Sequence, residues 1–377
     1  MEFSRAQVLA HRVARHGLRR EAAVATGLGV LELGVQDTAG AGARVALAAR
    51  LPDGAELSPP DLVLVWAQRG APHLLRRADV AGLAALLYPR GDVDAAARLG
   101  TAAARSLRAA GVGAAAGFAA GAAALRAVVS EEMPRARASA EMTAMLPPAY
   151  SYDCRACAST HVFGSLFQLV GIAAGVEVVA ETRPARLRPL PDRHALPEEA
   201  ADAGALVAAY LRVHGPASPA DLAAYLDTTV GVVKAVWPEG LVPVRVDGRP
   251  AALPESDVAA ALPESDVAAV RSAPDARGLV RLLPPADPLL QGRDREVLVP
   301  DAARRRQVWR VIGSPGVVLA EGDIAGVWRT RVAGARLDVA VALFSPVGKA
   351  ARAGIADEAQ RVARARGLRE ARVTLDT

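Results

Sequence analysis

The stretch that most constrains how this chain can fold is residues 204–249. It opens with ALVAAYLRVHG, an apolar-periodic segment that predicts a helix ending at His214-Gly215. Ser218 follows as an N-cap, with Pro219 at the first helical position and Asp221 three residues after the cap, so a second helix is predicted to about Leu226. An Asp-Thr-Thr turn leads to a third predicted helix carrying Val230, Val233 and Trp237. Leu241 to Val246 then alternates as a strand, and Asp247-Gly248 is a hairpin turn.

That order is the order of a winged helix-turn-helix, whose third helix enters the DNA major groove and whose hairpin meets the backbone. Thr228 and Thr229 in the turn, Lys234 on the third helix, and Arg245 and Arg249 on the hairpin are the candidate DNA contacts. Lys234 is the one basic residue on that helix, so a small α+β module used for protein contacts is the competing reading.

A chain of 377 residues allows two or three domains and an ample core. It is 52% hydrophobic but only 4% aromatic, so Ala, Val and Leu predict a helix-rich, closely packed interior. The formal charge of +5 and the pI near 9.7 favour an acidic partner such as nucleic acid. Nearly all the basic residues are Arg, with Lys only at 234 and 349; with so much Ala, Gly and Pro this also fits a GC-rich coding bias. Two cysteines argue against a disulfide scaffold and suit the cytosol, and the N-terminal MEFSRAQVLAHRVARHG lacks the apolar region of a signal peptide. Residues 109–125 form an uncharged run of 17 with four glycines, too weakly apolar to span a membrane. Gly113, Gly117 and Gly121 fall on one helical face, as close packing against a neighbouring helix requires.

Ser4 and Gln7 form a capping box for a helix to about His16. Its Arg5, Arg12 and Arg15 read as a solvated face or as phosphate contacts. Further helical segments are expected at residues 21–27, 43–51, 77–87, 98–130 and 347–365, and strands at 61–68, 337–344 and 371–375, with a hairpin over 317–329. Residues 252–260 recur identically as 261–269, a local duplication suited to a surface loop. The expected organisation is an N-terminal region at 1–147, a connecting region at 148–200, the central winged helix at 201–275 and a C-terminal α+β domain at 276–377.

GVQDT, VWAQRGAPHLLRRAD, LRVHGPASPADLAAYL, ADPLLQGRDR and VVLAEGDIAGVWR occur in this order. The succession resembles a bacterial superfamily of winged-helix DNA-binding proteins that includes alkylpurine and crosslink-unhooking DNA glycosylases, over nearly the whole chain. The resemblance implies an α+β fold of tandem winged-helix units around a concave basic channel. With the composition, the expectation is a monomer on double-stranded DNA in the cytoplasm, at the nucleoid, with no cofactor, metal or membrane. A non-catalytic DNA-binding protein or transcriptional regulator is the alternative. In glycosylase members a Gln-apolar-Gln or Gln-apolar-Asp tripeptide is catalytic. Here the matching residues are Gln36, Asp37 and Thr38, with an acidic residue in the middle and Thr in third place.

Hydrolysing an N-glycosidic bond builds positive charge on the sugar while water attacks C1′. A carboxylate stabilises that charge and a Gln amide holds the water. Asp37 and Gln36 are the candidates for those roles. The plainer reading makes all three residues caps of the helix beginning near Gly42. Arg69 and His73 lie in a segment that the resemblance makes a DNA-lining hairpin; a turn built on Gly70 and Pro72, with His73 packed on Asp79, is the alternative. Arg293 and Arg295 flank Asp294 as candidate phosphate contacts, joined by Arg329 on the last hairpin. Cys154, Cys157 and His161 have zinc-ligand spacing but supply three ligands, with His194 or Asp153 needed as a fourth. The favoured reading is two unligated thiols near a helix start, with a redox pair as another option.

Overall fold

The structure, a computed structural model, describes residues 1–180, 182–253 and 278–376. The duplicated segment lies almost wholly outside the described residues. The chain forms two compact units, one of residues 1–60, 208–218 and 239–377, the other of residues 61–207 and 219–238.

In the second unit the all-apolar strand Leu62–Trp66 turns back into Pro72–Arg76. Five strands there run antiparallel in the order Pro72–Arg76, Leu62–Trp66, Val176–Val179, Arg186–Pro189, Met133–Pro134. The Ala-rich helical region expected over 98–130 holds two helices, Thr101–Ala109 and Ala114–Val128, preceded by Asp92–Leu99. Gly100 and Gly111 break it, with φ of 81° and 74°, a left-handed backbone that alanine adopts only at a cost. The glycine face packs as expected: a Cβ at Gly117 would lie 2.7 Å from Leu107, and one at Gly121 would lie 2.8 Å from Leu166. Both leucines belong to a core with Trp66, Phe118 and Phe167. Among the described residues no single helix is long and apolar enough to cross a membrane.

In the first unit the helix Arg5–Arg15 begins with the predicted capping box: Gln7 N donates to Ser4 Oγ at 3.3 Å and Ser4 N to Gln7 Oε1 at 2.9 Å. The piece expected at residues 21–27 is only a 3-10 turn, Ala25–Gly27. Glu2–Phe3 pairs parallel with Val242–Val246, which pairs antiparallel with Arg249–Leu253. The turn of that hairpin is Asp247-Gly248, both at positive φ, as a two-residue hairpin loop demands. A second sheet runs Arg281–Leu283, Gly316–Ala320, Asp323–Ala333, Arg336–Leu343, Glu370–Asp376. Its last two strands are parallel, joined through the helix Lys349–Ala365, whose Ile355, Ala359 and Val362 pack with Val318, Val339 and Val341. The fold is mixed α+β.

The helices Ala203–His214, Pro219–Leu226 and Val230–Ala235 appear in the expected order ahead of the hairpin.

Candidate active site

The candidate tripeptide leaves a two-residue strand, Val35–Gln36, and ends before the helix Gly42–Ala48. Gln36, Asp37 and Thr38 are all half-buried. The N-cap residue of this helix is Ala41, which has no side-chain oxygen. Asp37 supplies the acceptor instead: its Oδ1 accepts from Ala43 N at 2.9 Å. Gly42 N donates to the Thr38 carbonyl at 3.1 Å, and Thr38 Oγ1 donates to Pro285 O at 3.4 Å. A Cβ at residue 42 would sit 2.1 Å from Thr38 Oγ1, so this close turn requires glycine. Asp37 therefore has the capping role, and its carboxylate is fixed at the helix end next to Gln36.

The same helix is held from its other end. Arg50, fully buried, grips Asp287 with two bonds of 2.8 and 2.7 Å and donates to Ala46 O at 2.8 Å. Asp287 also accepts from Leu289 N at 2.9 Å, capping the turn Pro288–Gln291. Seven residues on, Asp294 takes Arg12 in two bonds of 3.0 and 2.6 Å, and both side chains are buried. ADPLLQGRDR is thus clamped by two buried arginines, each in the planar two-bond geometry that only guanidinium provides.

This corrects the reading of several basic residues. Arg12 is neither a solvated residue nor a phosphate contact, because its guanidinium is buried on Asp294 and donates to Gly215 O and Pro216 O, each at 3.3 Å. Arg5 binds Asp323 at 2.5 Å and the carbonyls of Val297 and Leu298. Arg295 stacks on the Trp309 ring at 5.0 Å, and burial holds its pKa below the ordinary guanidinium value. Arg293 is half-buried beside them. Arg329 is exposed, with Nη2 donating to Gly313 O at 2.7 Å. Arg245 is exposed and donates to Gly248 O at 2.7 Å across its hairpin turn, and Arg249 is half-buried on the returning strand.

In the second unit, Arg69 occupies the turn between the paired strands at φ 59°. Its Nη1 donates to Tyr225 O at 2.8 Å and its guanidinium lies 5.0 Å from the Tyr225 ring centroid. It anchors the end of the Pro219–Leu226 helix instead of standing open to phosphate. His73 is 1% exposed, so it cannot reach DNA. Burial first, then the Arg69 charge, lowers its pKa to about 3, and its Nδ1 faces Ala71 O at 2.9 Å. Asp79, the expected neighbour of His73, pairs with Arg76 at 2.9 Å. Thr228 Oγ1 donates to Asp94, itself bonded to Arg98, and so is structural. Thr229 caps the Val230–Ala235 helix, accepting from Val232 N at 3.2 Å, and Lys234 is exposed on that helix.

Cys154 and Cys157 are free thiols at the end of a β-hairpin, Ser151–Cys154 with Ser159–Val162, and not near a helix start. The Cys157 amide, and then its thiol, hydrogen-bond Cys154 and hold that thiol below its usual range.

The chain is α+β and carries a half-buried Gln next in sequence to a carboxylate held at a buttressed helix end, and the comparisons define the class as DNA glycosylases. Residues 25–365 match the model of the DNA glycosylase AlkZ-like family, and the chain belongs to that family. It is a DNA-binding hydrolase of DNA repair. The solved structure of Streptomyces sahachiroi DNA glycosylase AlkZ is similar over 100% of both chains, with a TM-score of 0.72 and 21% sequence identity, a likeness of fold. No curated protein matches by sequence.

Proposed function

We propose that this glycosylase acts as a monomer on duplex DNA at the nucleoid and hydrolyses the N-glycosidic bond of bulky N7-alkylated or crosslinked purines, with Gln36 and Asp37 as its catalytic pair. The observation that carries this reading is the fixed carboxylate of Asp37, adjacent to Gln36 and oriented by the Ala43 amide at 2.9 Å. An N7-alkylated purine is already a cationic leaving group. It needs little general-acid help, so a carboxylate facing the sugar and an amide orienting water suffice. The acidic residue in the middle of the tripeptide then supplies the charge that members with Gln-apolar-Asp carry at its third place, and Thr38 is a positioning residue. We also propose that the three helices and the Val242–Leu253 hairpin work as a winged helix in a tandem set around a basic channel. Their order and the exposed Lys234 and Arg245 support this. The alternative of a non-catalytic regulator is not favoured by the family.

The test is a single-turnover incubation with duplex DNA carrying an N7-alkylguanine, followed by alkaline cleavage of abasic sites. Strand breaks are expected from the wild type and at least about a hundredfold fewer from Gln36→Ala and Asp37→Asn, the scale of losing one fixed transition-state contact. Undiminished cleavage by both variants would move the active site elsewhere.

A further inference from the structure

We infer that the hairpin Ser151–Val162 is a binding site for a zinc-class divalent cation, held by Cys154, Cys157 and His161 with one position left to solvent. Sγ of Cys154, Sγ of Cys157 and a ring nitrogen of His161 lie within 4.8 Å of one another. The backbone explains why. In the antiparallel register Cys154 faces Ser159 and Tyr152 faces His161, so Cys154 and His161 are diagonal neighbours on one face of the ribbon. Cys157 reaches the same point from the turn. Ala158 directly after it is left-handed, with φ 50°, which folds the chain back over Cys154.

The donor set selects the ion. Two sulfurs and an imidazole suit zinc, and disfavour magnesium and calcium, which take oxygen. Zinc–sulfur bonds of about 2.3 Å at a tetrahedral angle put two thiolates about 3.8 Å apart, so the three ligands need to close by only about 1 Å. Ser159 Oγ lies 3.2 Å from His161 Nε2 and Tyr152 lies beside the ring, centroids 6.3 Å apart, which fixes the orientation of the imidazole. Cys157 is exposed, so an ion reaches the site from solvent. Asp153 is turned to the other face, where it accepts from Thr160 Oγ1 at 2.7 Å, and leaves the fourth position to water. Binding deprotonates both thiols, and the two protons leave to solvent.

The test is a cobalt titration of the full chain, reduced and stripped with chelator. One equivalent of cobalt is expected to bind with a sulfur-to-cobalt charge-transfer band and the intense visible bands of a four-coordinate ion, and zinc should displace it. Cys154→Ser and Cys157→Ser should each weaken the charge-transfer band and the binding, and the double variant should abolish the band. His161→Asn should keep that band and weaken binding about tenfold or more. It also remains informative if a cysteine variant loses its fold by circular dichroism. Absence of the bands while both thiols react with a thiol reagent would overturn the site. So would undiminished bands in folded Cys154→Ser, bands that persist in the double cysteine variant, or a mass two hydrogens lighter in the reduced preparation, which would make the pair a disulfide.

Discussion

At the scale of single residues, Asp37 has two separable roles. As an acceptor for Ala43 N it stabilises the helix, a contribution of about 0.5–2 kcal/mol for such a cap. Its proposed catalytic role, as a carboxylate, is to stabilise charge on the sugar. Asp37→Asn keeps the acceptor and removes the charge, so it should melt with the wild type while losing turnover. Asp37→Ala should lose both and melt a few degrees lower by calorimetry, on the order of 2–4 °C. His73 gives a second prediction, because its imidazole is buried where it cannot charge. It titrates at 6.5 in the unfolded chain and at about 3 in the folded one. Between those values the unfolded chain binds the additional proton, so stability falls as pH drops below 6.5 and is unaffected above it. For this residue the loss at pH 5 is roughly 2 kcal/mol. Melting curves at pH 8 and pH 5 should therefore separate less for His73→Gln than for the wild type. Equal separations would mean that His73 charges freely in the fold.

At the scale of elements, the helix Gly42–Ala48 is short and is held at both ends, by Asp37 at its start and by Arg50 with Asp287 just beyond its close. Removing one partner of a buried pair leaves a charge uncompensated and costs about 3–5 kcal/mol, whereas replacing both with apolar groups is near neutral. Arg50→Met should accordingly be strongly destabilised in denaturant titrations, and adding Asp287→Leu should recover most of the loss. If the double variant is no better than the single, the pair is not the source of the effect. Sequence reasoning sees such elements unevenly. Ser4 with Gln7, Asp247-Gly248 and Gly117 with Gly121 were legible because each acts on neighbours a few residues away, through a cap, a turn or one helical face. Arg12 with Asp294 and Arg50 with Asp287 were not, because partners 282 and 237 residues apart leave no local pattern. His73 was misread for the same reason: a histidine beside an arginine looks available until its burial is known. The capping reading of Asp37 was legible, since a capping carboxylate a few residues ahead of a helix is a short-range signal.

At the scale of the whole molecule, the net charge of +5 does not say which cations are offered to DNA. Some of the arginine is turned onto carboxylates: Arg12, Arg20 and Arg50 onto Asp294, Glu358 and Asp287, and Arg5 onto Asp323. Only a cation at the surface holds a phosphate and releases a counterion, so affinity should follow the exposed charges and not the total. Lys234 and Arg245 are such charges. Measured over a salt series, Lys234→Met should weaken binding to undamaged duplexes uniformly across sequences and lower the slope of log affinity against log salt by about one. Arg12→Met should lower the melting temperature and leave that slope unchanged in the folded fraction. Both variants remove one positive charge, so a difference between them reads location alone. A slope that drops equally in both would mean that Arg12 reaches phosphate, and that the buried pair with Asp294 opens when DNA binds.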